Sequence, residues 1–131
     1  MLLGFKPQFE PKILIGLKIH TIRDDDKGRW QAGKKMHMAT GTRTKNCKIF
    51  RVTICKGYQW IKIYKKKVAV TMTENQIWFY DLKPDQLLQL ALQDGFDSVE
   101  DFFAWWNSKP RRKRKLIHWT EFRYPDMDLP F

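Results

Sequence analysis

Residues 48–72 read KIFRVTICKGYQWIKIYKKKVAVTM. Lys48–Cys55 alternates, with Phe50, Val52 and Ile54 set against Arg51 and Thr53. Gly57 breaks the run, and Gln59–Tyr64 resumes it with Trp60 and Ile61. Lys65–Lys67 is a charged break, and Val68–Met72 is a further β-branched run. Short runs of this type, separated by turn signals, predict a small antiparallel sheet that curls on itself.

Downstream the period changes. Pro84 suits the first turn of a helix, and Leu87, Leu88, Ala91 and Leu92 recur at helical spacing. Gly95 is a C-terminal stop. Asp97 with Glu100, or Ser98 with Asp101, forms a capping-box pattern. Val99, Phe102, Phe103 and Trp106 then follow at i, i+3, i+4 and i+7. That apolar face needs a surface to cover, most simply an open side or end of a barrel. Leu116–Phe122 reads as the closing strand, and Pro125 and Pro130 mark an irregular tail. Upstream, Pro11 opens a short helical turn through Ile13, Leu14 and Ile15, stopped by Gly16. Ile19–Arg23 is extended or loop, and Met36–Ala39 is a short strand. The fold class predicted is mainly β with flanking helices (α+β), a small β-barrel forming a single domain over residues 1–131.

Composition agrees with one folded domain. The chain has 131 residues, 43% of them hydrophobic, with nine Phe and six Trp. That suffices for a core without disulfides or metal and excludes a disordered tail. Cys47 and Cys55 are spaced too widely for a CxxC pair and lack Cys or His companions, so neither a zinc cluster nor a disulfide framework is expected. No cofactor and no metal are expected. No apolar run approaches the roughly 20 residues of a membrane span. Met1–Phe5 is too short for a signal sequence, so the reading is a reduced, cytoplasmic protein with no membrane partner.

The net charge of +11 is unevenly placed. Residues 31–70 carry eleven basic side chains and no acidic one, whereas residues 71–108 carry one basic and seven acidic. A field of this kind draws polyanions, and it sets Lys34, Lys35, Arg43 and Lys45 as candidate nucleic-acid contacts. The alternative is a solvated face that maintains solubility. Lys109–Lys115, K-P-R-R-K-R-K, adds Arg111, Arg112, Lys113 and Arg114. This run reads as a contact loop, a nuclear-import-like patch or a solvated connector. Trp30, Trp60, Trp78 and Trp119 are candidates for stacking on bases or for the core.

Gly16–Arg23 reads GLKIHTIR. Within eight residues it offers an ammonium (Lys18), an imidazole (His20), a hydroxyl (Thr21) and a guanidinium (Arg23). If extended, Lys18 and His20 share one face while Thr21 and Arg23 share the other. Gathering Lys18 with Thr21 needs a loop. The three His are widely separated and form no ligand spacing.

This segment resembles the signature of the ASCH family, within the PUA-like superfamily. Gly16, Lys18, Thr21 and Arg23 match G-x-K-x-x-T-x-R, with Trp30 and Gly33 after it. Leu87, Leu90, Ala91, Asp94, Gly95 and Phe96 resemble the family's later L-x-x-L-A-x-x-D/E-G-F stretch. Ser98, Glu100, Phe102 and Trp105 resemble its following helix. The resemblance implies a PUA-like β-barrel with flanking helices and a cleft beside Gly16–Arg23. It implies binding of RNA, single-stranded nucleic acid or a nucleoside-like small molecule there, through Lys18, His20, Thr21 and Arg23. One bacterial branch is similar to amidohydrolases of N4-acetylcytidine, and its catalytic positions fall on Lys18, Thr21 and Asp94. Asp94 stands where that branch carries Glu. Three function classes therefore stand at this level: a nucleic-acid or nucleotide binder, a hydrolase of a modified nucleoside or of RNA, and a regulatory interaction domain.

Overall fold

The computed structural model describes residues 1–125. In chain order the elements are β1 (Leu2–Phe5), a 3-10 turn (Pro7–Phe9), α1 (Glu10–Leu14), β2 (His20–Arg23), β3 (Lys35–Thr40), β4 (Lys48–Ile54), β5 (Gly57–Ile63), β6 (Val68–Val70), β7 (Tyr80–Asp81), α2 (Pro84–Gln93), α3 (Val99–Asn107) and β8 (Arg114–His118). They form an α+β fold with two open sheets. A three-stranded sheet has the order β1-β3-β4, and a five-stranded sheet has the order β2-β8-β5-β6-β7. β1 runs parallel to β3, and every other pairing is antiparallel.

The predicted PUA-like β-barrel is therefore corrected: neither sheet closes. The chain crosses between the sheets at Cys55–Gly57. Cys55 N donates to Lys34 O at 2.7 Å in the first sheet, and Lys56 N donates to His118 O at 2.8 Å in the second. Gly57 takes φ 113°, and a Cβ there would lie 2.6 Å from Glu74 Oε1, so the corner requires glycine. Closure would need β1 to pair with β2, but both remain edge strands. A side chain spans that gap instead: Arg23 Nη2 donates to Gly4 O at 2.6 Å. Alternation specifies which face of a strand is buried, not which strand lies beside it. That is why the antiparallel strands were legible and their division between two open sheets was not.

The helices follow from local chemistry. Pro84 opens α2, and Gln86 Oε1 accepts from Lys83 N at 2.9 Å. At its other end Gly95 N donates to Leu92 O and Phe96 N to Ala91 O, both at 3.0 Å, with Gly95 at φ 96°. This is a Schellman stop. Ser98 Oγ caps α3 by accepting from Asp101 N at 3.1 Å.

Both helices lay Leu87, Leu90, Ala91 and Phe102 on Ile22, Ile61, Val68 and Leu116 of the five-stranded sheet. A second core joins Leu3, Phe5, Met36 and Met38 to Phe9, Ile13, Trp30, Ile117 and Trp119. The closing strand is shifted from the predicted Leu116–Phe122 to Arg114–His118. Arg114 and Lys115 tolerate burial there because Asp24 and Asp25 pair with them at 3.1 and 2.9 Å. The predicted tail at Pro125 and Pro130 is described only as far as Pro125, and Pro130 lies outside the described residues.

Candidate functional site

The unpaired edges of β1 and β2 border a cavity of about 450 Å³. Its wall includes Phe5, Phe9, Phe96, Trp105 and Trp106. Its polar groups include Lys18, Thr21, Arg23 and Asp94.

Two helix ends build the inner wall. After α1, Gly16 takes φ 82°, and Leu17 N and Lys18 N donate back to Lys12 O at 2.9 and 3.0 Å. Ile19 N then donates to Gln93 O at 2.9 Å, which seats the segment on the end of α2. Lys18 Nζ reaches the carbonyl of Asp94 at 2.5 Å and its Oδ1 at 3.2 Å. A cation at a helix C-terminus is favoured by the partial negative charge of its free carbonyls. The same amine lies 4.9 Å from the centre of the Phe9 ring. Burial pulls the Lys18 ammonium down to about 8, although Asp94 pulls the other way, and Arg23 and Lys12 add repulsion.

Behind Asp94 lies a buried polar chain. Asp94 Oδ1 stands 3.0 Å from His20 Nδ1, and His20 Nε2 stands 2.7 Å from the Tyr124 hydroxyl. A carboxylate only accepts, so Nδ1 carries the proton. Burial holds His20 below its ordinary value against the pull of Asp94, and it raises Tyr124. The Tyr124 hydroxyl also meets the side-chain amide of Gln93. Gln59 ties Tyr124 in place, donating to its carbonyl at 2.6 Å and accepting from its N–H at 3.1 Å. His118 Nε2 meets Gln59 Oε1 at 3.0 Å, and burial pushes His118 well below its usual value. His118 Nδ1 and Trp106 Nε1 are buried without a partner among the described residues.

On the sheet side, Arg23 Nε donates to Thr21 Oγ1 at 3.1 Å, and its guanidinium carbon sits 4.9 Å from the Phe5 ring centre. The acids next to Arg23 are engaged elsewhere. Asp24 faces Arg112 and Arg114 at 3.4 and 3.1 Å, and Asp25 faces Lys115 at 2.9 Å.

The residues singled out from sequence thus separate into groups. Lys18, Thr21, Arg23, Asp94 and Arg114 line one cavity. His20 lies outside the lining, in contact with Asp94. Lys34 and Lys35 lead into β3, and Arg43 and Lys45 lie in the turn after it; all are exposed and none lines the cavity. Arg111, Arg112 and Lys113 are exposed before β8, with Lys113 4.2 Å from the Trp60 ring centre. Trp30 and Trp119 are core residues, whereas Trp78 is exposed. Lys6 and Tyr124 are not marked by anything in their own sequence neighbourhoods, and Lys109 is marked only as the first residue of the basic run Lys109–Lys115. Among the described residues no group of His, Cys, Asp or Glu is placed to hold a metal, and no helix is long and apolar enough to cross a membrane.

Comparison with family models, with curated proteins and with solved structures gives no match.

Proposed function

We propose that this protein binds a nucleobase-bearing ligand, a nucleotide or a segment of RNA, in the cleft beside Gly16–Arg23. The observation that carries the reading is the composition of the cavity. Five aromatic side chains line about 450 Å³ together with three amines, two guanidinium groups and two carboxylates. Aromatic walls favour a flat ring, and base–aromatic stacking contributes roughly 1–3 kcal/mol per base. The charged groups suit hydrogen bonding to a base edge or phosphate. The exposed cations from Lys34 to Lys67 and at Arg111–Lys113 supply a field for a longer chain. The resemblance of Gly16–Arg23 to the ASCH signature points to the same cavity.

Titration with ribonucleosides, nucleotides and single-stranded RNA at several salt concentrations tests this. Trp105→Ala is expected to weaken binding at least about fivefold, the low end of one lost stacking contact. For RNA, the logarithm of affinity should fall by about 0.7 per neutralised phosphate against the logarithm of salt. No binding of any of these at low salt refutes the reading.

A second reading, hydrolysis of an N-acylated nucleobase, is favoured by one observation. Lys18, lowered to about 8, lines the same cavity as the Thr21 hydroxyl. At pH 7 roughly a tenth of such an amine is neutral. Thr21 Oγ would attack the acyl carbon while neutral Lys18 takes its proton. The C–N bond then breaks, and the departing nitrogen receives that proton from Lys18. Water hydrolyses the acyl ester in the second half. Turnover of N4-acetylcytidine that survives Lys18→Ala and Thr21→Ala would exclude this route.

A further inference from the structure

The charged groups of the cavity do not balance. Lys18 faces Asp94 at 3.2 Å, and Arg114 faces Asp24 at 3.1 Å. Lys6, Arg23 and Lys109 line the same cavity and form no ion pair among the described residues. Lys6 and Lys109 both rest on Trp105, at 5.1 and 5.2 Å from the ring centre. Arg23 rests on Phe5 at 4.9 Å. Contacts of this type hold a cation along an aromatic surface while its N–H groups stay free for an acceptor. Arg23 gives Nε to Thr21 and one Nη2 hydrogen to Gly4 O, and its Nη1 has no acceptor among the described residues. Five cations line the cavity against two carboxylates, Asp24 and Asp94, that are already paired, and a bound anion relieves the remaining repulsion.

The class of anion follows from charge and shape. A carboxylate brings one negative charge. A phosphate monoester brings about 1.5 to 2 and three strong acceptor oxygens, enough for two ammonium groups and a guanidinium edge. The aromatic wall beside the cations asks for a flat ring on the same ligand. We propose that Lys6, Arg23 and Lys109 form a phosphate subsite, so that the cavity selects a nucleotide over the neutral nucleoside. This rests on the nucleobase-binding reading above. A free mononucleotide offers this monoester, and an RNA strand offers it at a phosphorylated 5′ end.

Calorimetric titration of the full chain with the four ribonucleosides, their 5′-monophosphates and a 5′-phosphorylated mixed-sequence RNA hexamer tests the subsite. At least one monophosphate is expected to bind about tenfold tighter than its nucleoside at low salt, with the gap narrowing as salt rises. The double variant Lys6→Gln/Lys109→Gln should bring that ratio close to one. A hexamer that binds tighter than every monophosphate assigns the phosphate to RNA, and equal affinity assigns it to a free nucleotide. Equal affinity for nucleoside and monophosphate in the unaltered protein overturns the subsite while the ring site stands. A ratio that survives the double variant overturns the assignment to these lysines. Failure of every probe overturns the nucleobase reading itself.

Discussion

Asp94 Oδ1 receives Lys18 Nζ at 3.2 Å and His20 Nδ1 at 3.0 Å, with all three side chains buried. Removing the carboxylate charge strands the Lys18 ammonium, and breaking one partner from a buried pair costs roughly 3–5 kcal/mol. Asp94→Asn should therefore lower stability by about that amount in urea denaturation at pH 7. A loss under about 1 kcal/mol would mean that Asp94 is not the compensating charge. Thr21→Val is close in shape and leaves Lys18 and Asp94 untouched, so its loss should stay below about 2 kcal/mol, the scale of the Arg23 hydrogen bond it removes. A much larger loss would make Thr21 a structural post rather than a group presented to the cavity. Lys18, Thr21, Arg23 and Asp94 were each named by a local pattern, Gly16–Arg23 or the stretch ending in Gly95. Tyr124 and His118 were not, because their contacts cross the whole chain. His20 meets Tyr124, which is 104 residues further on, and no short-range pattern encodes that distance.

Between α2 and α3 the chain must turn within a few residues while presenting Asp94 to Lys18. Gly95 makes this possible. At φ 96° a side chain is strained, and a Cβ there would stand 2.8 Å from Phe9 Cδ1 and 3.0 Å from Lys18 Cδ. Gly95→Ala should cost about 1–3 kcal/mol from backbone strain, with the contact adding to it. Because the clash falls on the cavity wall, ligand affinity should fall with stability. Nucleoside affinity unchanged in a destabilised variant would show that the wall does not depend on this turn. The elements around the turn were the most legible in the sequence, since Pro84, Gly95 and Ser98 act on their own neighbours. β1 and β7 were the least legible. Leu2–Phe5 is only four residues long and is held by parallel pairing to β3, more than 30 residues away. The open seam was hidden for the same reason. It depends on β1 joining β3 and β2 joining β8, a choice among non-local partners that alternation leaves open.

Over the whole molecule the buried titrating groups set how stability varies with pH. His20 and His118 are both held below 6.5 by burial. As pH falls through 6.5 the unfolded chain gains protons that the folded state refuses. Stability then declines by up to about 1.4 kcal/mol per pH unit for each histidine. Lys18 adds a second step with the same sign. Its folded value is about 8 against 10.5 unfolded, so between those values the unfolded chain holds more protons. Stability gains from this group as pH rises through that window. Cys55 opposes it from about pH 9, because burial raises the thiol above 9.0 and the unfolded chain ionises first. Tyr124, raised by burial, opposes it from about pH 10. The expected profile falls on the acid side of 6.5, is level to about 8, rises to about 9, and turns down above about 10. Urea denaturation from pH 5 to 10 checks it. His118→Gln should shallow the acid limb by about one proton, and Lys18→Met should flatten the rise above 8. A rise of the same size in Lys18→Met would show that the buried amine does not drive it.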